Sequence, residues 1–407
     1  IYDILNCLLI RLERYNIVDI LIENAKLKSQ EGNFSIGIDK GKIVKIEEKI
    51  DEKADTIINA SGNLVTESFC NPHLHLCKVY TLQMMDELAL KSYHEADMGN
   101  AMGAIELAAR VQEKYSVDWI LPNVRKALKL AASYGTTHIR AFADVNQQTK
   151  LEGIKALLEA KSEFKDIVEL QVVAFPQNGI VRDPETIELI EESMKMGADV
   201  VGGIPWIEYT ERDAQQHIDA MMKIAQRHGA DISMLVDDAG DPTLKTLEML
   251  AMKTIQQEWY GKTLAHHARA MALYPTPYLQ KLASLLKKAQ MGLVSDPHTG
   301  PLHARVKELL AEKVLVVFGQ DDIVDAYYPF GRNNMMEVAF LNCHLLWMTT
   351  FKEIEKTYDM ITVDAAKAMN VKNFEVKVGN DANLVVLKYP NIHQIIQIGR
   401  ASCRERV

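Results

Sequence analysis

Cysteine is scarce in this chain. Its 407 residues include five, Cys7, Cys70, Cys77, Cys343 and Cys403, and no two of them stand in a CxxC or other paired spacing. That argues against a disulfide scaffold and for a reducing, cytoplasmic compartment. Positive charge is also short: 46 Lys and Arg face 55 Asp and Glu, for a net charge of -9. Such a chain lacks the electrostatic footprint for nucleic-acid backbones or anionic membranes, so no nucleic-acid partner is expected. No run of about 18 apolar residues is available to span a bilayer, and no cationic-apolar-small leader is present. No glycine-rich GxGxxG turn follows an early strand, which argues against a doubly wound dinucleotide-binding sheet.

What is present suits a large soluble fold. Apolar residues make up 48% and charged residues 25%, enough to bury a sizeable core without disulfides or a structural metal. Both ends call for trimming before the fold is read. The chain opens at Ile1 without Met, and a strand pattern starts only at Ile17. Residues 398–407 read like a translated sequencing adapter, a non-native tail. Without them the net charge moves from -9 to -11, since Arg400, Arg404 and Arg406 outnumber Glu405 by two.

From residue 137 the chain alternates β-branched runs with amphipathic helical stretches. The runs are Thr137–Phe142, Glu169–Phe175, Asp199–Ile204, Asp231–Val236, Lys262–His266, Met291–Ser295 and Val314–Phe318. Lys150–Phe164 and Ala214–His228 are two of the helices between them. This beat is the signature of parallel βαβ units. With an earlier run at Leu64–Asn71 the strands number eight, which closes a (β/α)8 TIM-like barrel. Short strands at Asp19–Ile22, Ser35–Ile38 and Ile43–Ile46, with another at Ala382–Lys388, predict a small β domain built from both termini. The expected domains are 17–65 with 376–397 as a small β-sandwich, and 66–375 as the barrel. The Met-rich segment 82–118 (Met84, Met85, Met98, Met102) is expected to be helical.

In such a barrel the site lies at the C-terminal ends of the strands. There the sequence places His73-Leu74-His75, Gln177, Asp237-Asp238, His266-His267, Asp296-Pro297-His298 and Gln320-Asp321-Asp322. Residues two apart on an extended segment face one way, so His73 and His75 can share one ion. Imidazoles and carboxylates gathered at one face point to metal-assisted hydrolysis. Asp237-Asp238 could instead cap the following helix. His303 and His344 read as partly buried structural residues, and His94, His138, His217, His228 and His393 follow no site pattern. Cys77, without a paired base, reads as inert.

The order of His73-x-His75, Ala174-Phe175-Pro176-Gln177-Asn178-Gly179, Gly197-Ala198-Asp199-Val200-Val201-Gly202 and Phe318-Gly319-Gln320-Asp321-Asp322 resembles the cytosine deaminase branch of the amidohydrolase superfamily. Tyr328-Pro329-Phe330-Gly331 and Asn334-Met335 continue the likeness, which runs over most of residues 18–388. N-substituted ammelide hydrolases share this layout. The resemblance implies a barrel with a small β-sandwich and hydrolytic deamination of an amino-substituted heterocycle, with release of ammonia. It implies one divalent metal, Fe2+ or Zn2+, with His73, His75 and Asp321 as ligands. Asp321 would also take a proton from the attacking water. His267 would orient that water and stabilise the anionic intermediate. Gln177 would read a ring amide edge, Asp322 would offer a substrate-side carboxylate, and Tyr327 would flank the ring. Relatives are commonly homo-oligomers.

Three positions depart from the pattern. The family's His-x-x-Glu after the fifth strand is Leu235-Val236-Asp237-Asp238, so a ligand is missing and the proton-relay position holds the shorter Asp238. The family's Arg-Thr-His is Arg140-Ala141-Phe142, and the acid after the His pair is Cys77. A site repaired by Asp237, Asp238, His266 or His298, a metal-free enzyme, and a ligand-binding barrel without catalysis are the competing readings.

Overall fold

The computed structural model describes residues 17–28, 30–84, 109–297, 301–399 and 405–406. The chain divides into two compact units, residues 1–68 with 371–407 and residues 69–370. Met85, Met98, Met102, His94, His298, Cys7 and Cys403 lie outside the described residues. The helix expected across 82–118 can therefore be followed only at its two ends, where Leu82–Met84 and Ala109–Lys114 are 3-10 turns and an α-helix starts at Val117.

The smaller unit holds two sheets. β1 (Ile17–Ala25), β2 (Phe34–Asp39), β3 (Lys42–Glu47) and β4 (Lys53–Asn59) form one, in the order β3-β2-β1-β4. β5 (Val65–Glu67), β14 (Leu384–Val386) and β15 (Glu405–Arg406) form the other. Ile22, Ile36, Ile38 and Ile43 of the first sheet share one buried cluster with Val65, Leu384 and Val386 of the second. The core of this sandwich is thus supplied by both ends of the chain. β4 escapes a hydrophobicity reading because its residues are half-buried or exposed, with Lys53 and Asp55 among them.

The larger unit is an α/β barrel. Its eight strands are β6 (Phe69–Leu74), β7 (Thr136–Asp144), β8 (Glu169–Phe175), β9 (Val200–Gly203), β10 (Asp231–Val236), β11 (Thr263–His267), β12 (Gly292–Ser295) and β13 (Val316–Phe318). They run in sequential order, and each neighbouring pair is parallel. The run expected at Leu64–Asn71 is two strands: β5 belongs to the sandwich and β6 opens the barrel. The ring closes where Gln320 and Asp321 donate main-chain N–H groups to His73 O at 3.2 and 2.9 Å, and His75 N–H donates to Asp321 O at 2.9 Å.

The intervening helices are built as their sequences dictate. Glu211–His228 is capped by Thr210, whose hydroxyl accepts from Asp213 N–H, and ends on left-handed Gly229. Glu211 and Asp213 sit in its first turn and Arg227 and His228 in its last, matching the helix dipole. Ala214, Ile218, Met221, Met222 and Ala225 form its buried stripe. Among the described residues no helix is long and apolar enough to cross a membrane.

At the barrel floor lies Arg140, 1% exposed. It donates to Gln171 Oε1 (2.9 Å), Ser233 Oγ (3.1 Å), Asp231 Oδ2 (3.0 Å) and Met369 O (3.3 Å). One guanidinium thereby ties β7 to β8, β10 and the segment after the last barrel helix. Removing it strands a largely buried carboxylate, which costs about 3–5 kcal/mol. Arg140→Leu is therefore expected to lower the urea unfolding midpoint by that equivalent, and an unchanged midpoint refutes this role.

Candidate functional site

The strand ends bring most of the expected residues into one buried cluster. His73 belongs to β6, and its Nε2 lies 2.9 Å from Asp321 Oδ1. Its other ring nitrogen, Nδ1, is 2.7 Å from His266 Nδ1. His75 follows the strand, with Nε2 3.7 Å from Asp321 Oδ1. Its Nδ1 is buried without a hydrogen-bond partner among the described residues. Asp321 follows β13 with φ 68°, a left-handed backbone that aims its carboxylate back at β6. Burial pushes that carboxyl up, but His267, His73 and His75 outweigh it and hold it well below the usual range. Gly319 makes the approach feasible, since a Cβ there would collide with Asp296 Oδ1 and lie 2.7 Å from His73 Cβ.

His267 ends β11. Its Nδ1 lies 3.1 Å from Asp296 Oδ2 and 4.0 Å from Asp321 Oδ2, and its Nε2 lies 3.9 Å from Asp238 Oδ2. Burial alone lowers its pKa, but Asp238, Asp321 and Asp296 reverse that and raise it. Neither oxygen of Asp296 has an aligned hydrogen-bond donor among the described residues. One ligand atom from each of His73, His267, Asp296 and Asp321 lies within 4.8 Å of the others, and all four residues are buried. Two imidazoles and two carboxylates at such spacing suit a divalent metal of the Zn2+ or Fe2+ kind. The under-bonded Asp296 carboxylate is the observation that asks for a cation there.

The other candidates have different company. Asp237 accepts from Thr246 N–H (2.7 Å), Leu247 N–H (3.3 Å) and Tyr274 Oη (2.8 Å), which places it at the start of the helix Thr246–Gln256 as a cap. Asp238 pairs with the Arg269 guanidinium, whose second nitrogen lies 3.7 Å from Asp321 Oδ2. His266 is opposite Leu235 in the β10–β11 register and packs on Phe142. His298 is outside the described residues. Leu235, Phe142 and Phe175 form an apolar wall, against which the His75 ring rests, 5.2 Å from Phe142 and 5.3 Å from Phe175.

A second group stands beyond His75. Gln177 Oε1 accepts from Lys78 Nζ at 2.6 Å, and Lys78 lies 3.3 Å from Asp144 Oδ1 and 4.5 Å from the Tyr327 ring centre. Burial works against the Lys78 charge, but Asp144 and its other neighbours more than offset it and raise its pKa. Asp322 is pushed well above the usual range by burial and by Asp321 and Asp325, and burial lifts Asp325 to about 6. Cys77 is raised to about 12, chiefly by burial. Sequence reasoning placed Asp296 at a strand end of the site but gave it no role as a ligand, and it passed over Lys78, Asp144 and Arg269. Arg269 stands beside positions already singled out, and Lys78 is three residues past His75. His303 precedes the helix Val306–Ala311 instead of lying in one, and His344 is exposed.

The loop carrying Gln177 is held by a buried clamp. Glu208 Oε1 accepts from Ile180 N–H (2.7 Å) and Val181 N–H (3.2 Å), and Oε2 accepts from Arg182 N–H (3.2 Å). Because His217 Nε2 accepts from Ile204 N–H (3.1 Å), its proton sits on Nδ1, which donates to Glu208 Oε1 at 2.7 Å. Gly179, at φ 82°, has no room for a Cβ beside Glu208.

The pattern described as "Amidohydrolase family" matches residues 56–402. The chain is 31% identical over 370 residues to the N-isopropylammelide isopropyl amidohydrolase of Pseudomonas sp. (strain ADP), covering 91% of each. It is similar to the crystal structure of 5-methylcytosine deaminase from Klebsiella pneumoniae liganded with 5-fluorocytosine, at 27% identity and a TM-score of 0.86, over 95% of this chain and 97% of that one. The N-isopropylammelide isopropylaminohydrolase of Burkholderia multivorans shares the fold at 21% identity and a TM-score of 0.83, over 95% of this chain and 96% of that one.

The clamp makes a signed prediction about pH. Burial raises the Glu208 pKa, but His217 and the N–H donors outweigh it and leave the net shift downward. Burial lowers that of His217 more than Glu208 raises it. In both cases the unfolded chain takes up a proton first, so the contribution is full above the ordinary values. It is lost as pH falls, from below about 6.5 for His217 and below about 4.3 for Glu208. Glu208→Gln should cost about 2–4 kcal/mol at pH 7.5. It should also speed amide exchange at Ile180, Val181 and Arg182, with the gap from the parent shrinking on acidification. A pH-independent gap contradicts the clamp.

Proposed function

Because the chain belongs to the amidohydrolase family, we propose that it is a metal-dependent hydrolase that breaks a C–N bond of an amino-substituted heterocycle. Water supplies the oxygen, and ammonia or an amine leaves with a proton. The observation that carries this reading is the buried set His73, His267, Asp296 and Asp321. These four would hold the ion, with His267 and Asp296 in place of the expected His75 and of the ligand lost at Leu235. A divalent ion bound there supplies Lewis acidity, which makes a water acidic near neutral pH and polarises the ring carbon.

The protein groups then divide the work. Asp321, held as a carboxylate by the imidazoles around it, accepts the proton of the attacking water. Nε2 of His267, one of the residues that would hold the ion, lies 3.9 Å from Asp238 Oδ2. That links the ligand set to the carboxylate placed to pass a proton to the departing nitrogen. Arg269 keeps Asp238 in position. His266, 2.7 Å from His73 Nδ1, fixes the His73 ring so that Nε2 points inward. Phe142 and Phe175 exclude water from one side, and Gln177, Asp322 and Tyr327 are the groups for the ring. The heterocycles named in the relatives, an N-isopropylammelide and a 5-methylcytosine, support a ring bearing both amino and oxo groups.

One observation favours a metal-free binding barrel instead. Arg269 already supplies a positive charge next to Asp238 and Asp321. Elemental analysis separates the two. Protein expressed with added Fe or Zn is expected to carry close to one ion per chain, and Asp296→Asn to weaken retention about 100-fold or more. Protein that binds no ion under any loading supports the metal-free barrel. On any heterocycle the parent turns over, Asp321→Asn should lower ammonia release by about 100-fold or more. Undiminished release removes Asp321 from the chemistry.

A further inference from the structure

One corner of the barrel unit departs from the rules of local structure with no return inside the chain. The helix Met335–Leu345 buries Met335, Met336, Val338, Ala339 and Cys343 on its inner side. Apolar residues continue around it: Phe340 and Leu341 are half-buried and Leu345 is exposed. A helix that is apolar on every side calls for cover on every side. It ends in a turn where Trp347 N–H donates to His344 O at 3.3 Å and Met348 N–H donates to Cys343 O at 2.9 Å. These two bonds make a Schellman stop, whose left-handed position favours glycine or asparagine. Here a tryptophan holds it, at φ 56°. Lys307 fixes the turn, with Nζ 3.0 Å from Trp347 O and 2.7 Å from Glu353 Oε1. Met348 turns inward and is buried, whereas Trp347 stands out in solvent. Neither backbone geometry nor packing within the chain accounts for an indole at this position.

We propose that this corner is a two-fold interface between copies of this chain, with Trp347 as its anchor. Scattered apolar side chains on a surface are ordinary, but Leu345, Trp347 and Phe351 stand on one short stretch at 51%, 75% and 74% exposure. Together they offer roughly 400 Å² of apolar surface. A stable interface takes about 800 Å² from each partner, a little over half of it apolar, so the corner supplies most of that share. Charge allows the match. The chain carries a net charge of -9, but residues 344–352 include no Asp or Glu. At the flank stand Lys352 and the Lys307–Glu353 pair, so a second copy turned over on a two-fold axis can set lysine against glutamate. A membrane is the weaker fit, since two lysines beside a glutamate do not make a cationic face. The Thr350–Glu353 capping box that starts the helix Phe351–Asp359 holds the corner in shape before association. The inference is independent of the hydrolase reading, because neither helix carries a candidate ligand.

The test is the assembly state of the full chain by analytical ultracentrifugation. The parent should sediment as a dimer, or as a larger even assembly, with a dissociation constant of about 10 μM or tighter. Trp347→Asn suits the left-handed turn and removes the anchor from both copies, so the dissociation constant should rise about 100-fold or more. At a concentration where the parent is monomeric, the same variant should unfold in urea at a midpoint no lower than the parent's, because the strained tryptophan is gone. A tryptophan kept for folding gives the opposite result, a lower midpoint with association unchanged. Leu345→Gln, on the exposed side of its helix, should weaken association about 10-fold or more by itself, and it decides the matter if Trp347→Asn does not fold. A parent that stays monomeric at about 100 μM, or an assembly unchanged in both variants, overturns the proposal. A monomeric parent that sediments with phosphatidylserine vesicles, where Trp347→Asn does not, also overturns it and assigns the face to a membrane.

Discussion

The seam that closes the barrel is the constraint on which the rest depends. Strands of a parallel barrel can meet only if the last finds the first in register, and here that meeting is made by His73, His75 and Asp321. Two of the residues that close the ring through their main chains, His73 and Asp321, also belong to the candidate metal centre. Gly319 belongs to the same joint, because a side chain there would push apart Asp296 and His73. Closure and chemistry are not separable at this point: whatever disturbs the register disturbs the ligands.

Around the seam, charge is distributed in two zones. Asp238, Asp296 and Asp321 make one side acidic, with Arg269 as the cation already in place. On the other side Lys78 lies between Asp144 and Gln177. The apolar wall of Leu235, Phe142 and Phe175 stands beside them. Leu235 removes an imidazole from β10, and His266 places one directly across on β11. The His266 ring lies against His73, and the carboxylate of Asp296, one strand further on, faces His267. Histidine has been kept in the neighbourhood while its job changed.

The sequence made the barrel legible because a parallel strand is buried on both faces and reads as a short β-branched run, repeated at a spacing its helices enforce. Glu169–Phe175 and Asp231–Val236 are seen at the bounds the sequence suggested. Leu64–Asn71 was harder. Its two strands lie end to end with one residue between, and hydrophobicity does not say that the sheet changes at Ser68. The site was legible where a family motif marks it, as with His73, His75, Gln177 and Asp321. Asp296 was placed at the site face but given no role, because a lone carboxylate at a strand end looks the same whether it caps a helix or faces a histidine. The Lys78–Gln177 contact spans 99 positions, and no local pattern encodes it.

The closing seam also sets an order of events. His73 and Asp321 are 248 residues apart, and neither has its partner until the last strand has been made. During synthesis the growing chain therefore carries its histidines through six further strands with no ligand set to fill. The candidate ligand set is complete only once the barrel is nearly closed. A chain cut short before residue 321 lacks both the seam and the fourth member of the His73, His267, Asp296 and Asp321 cluster.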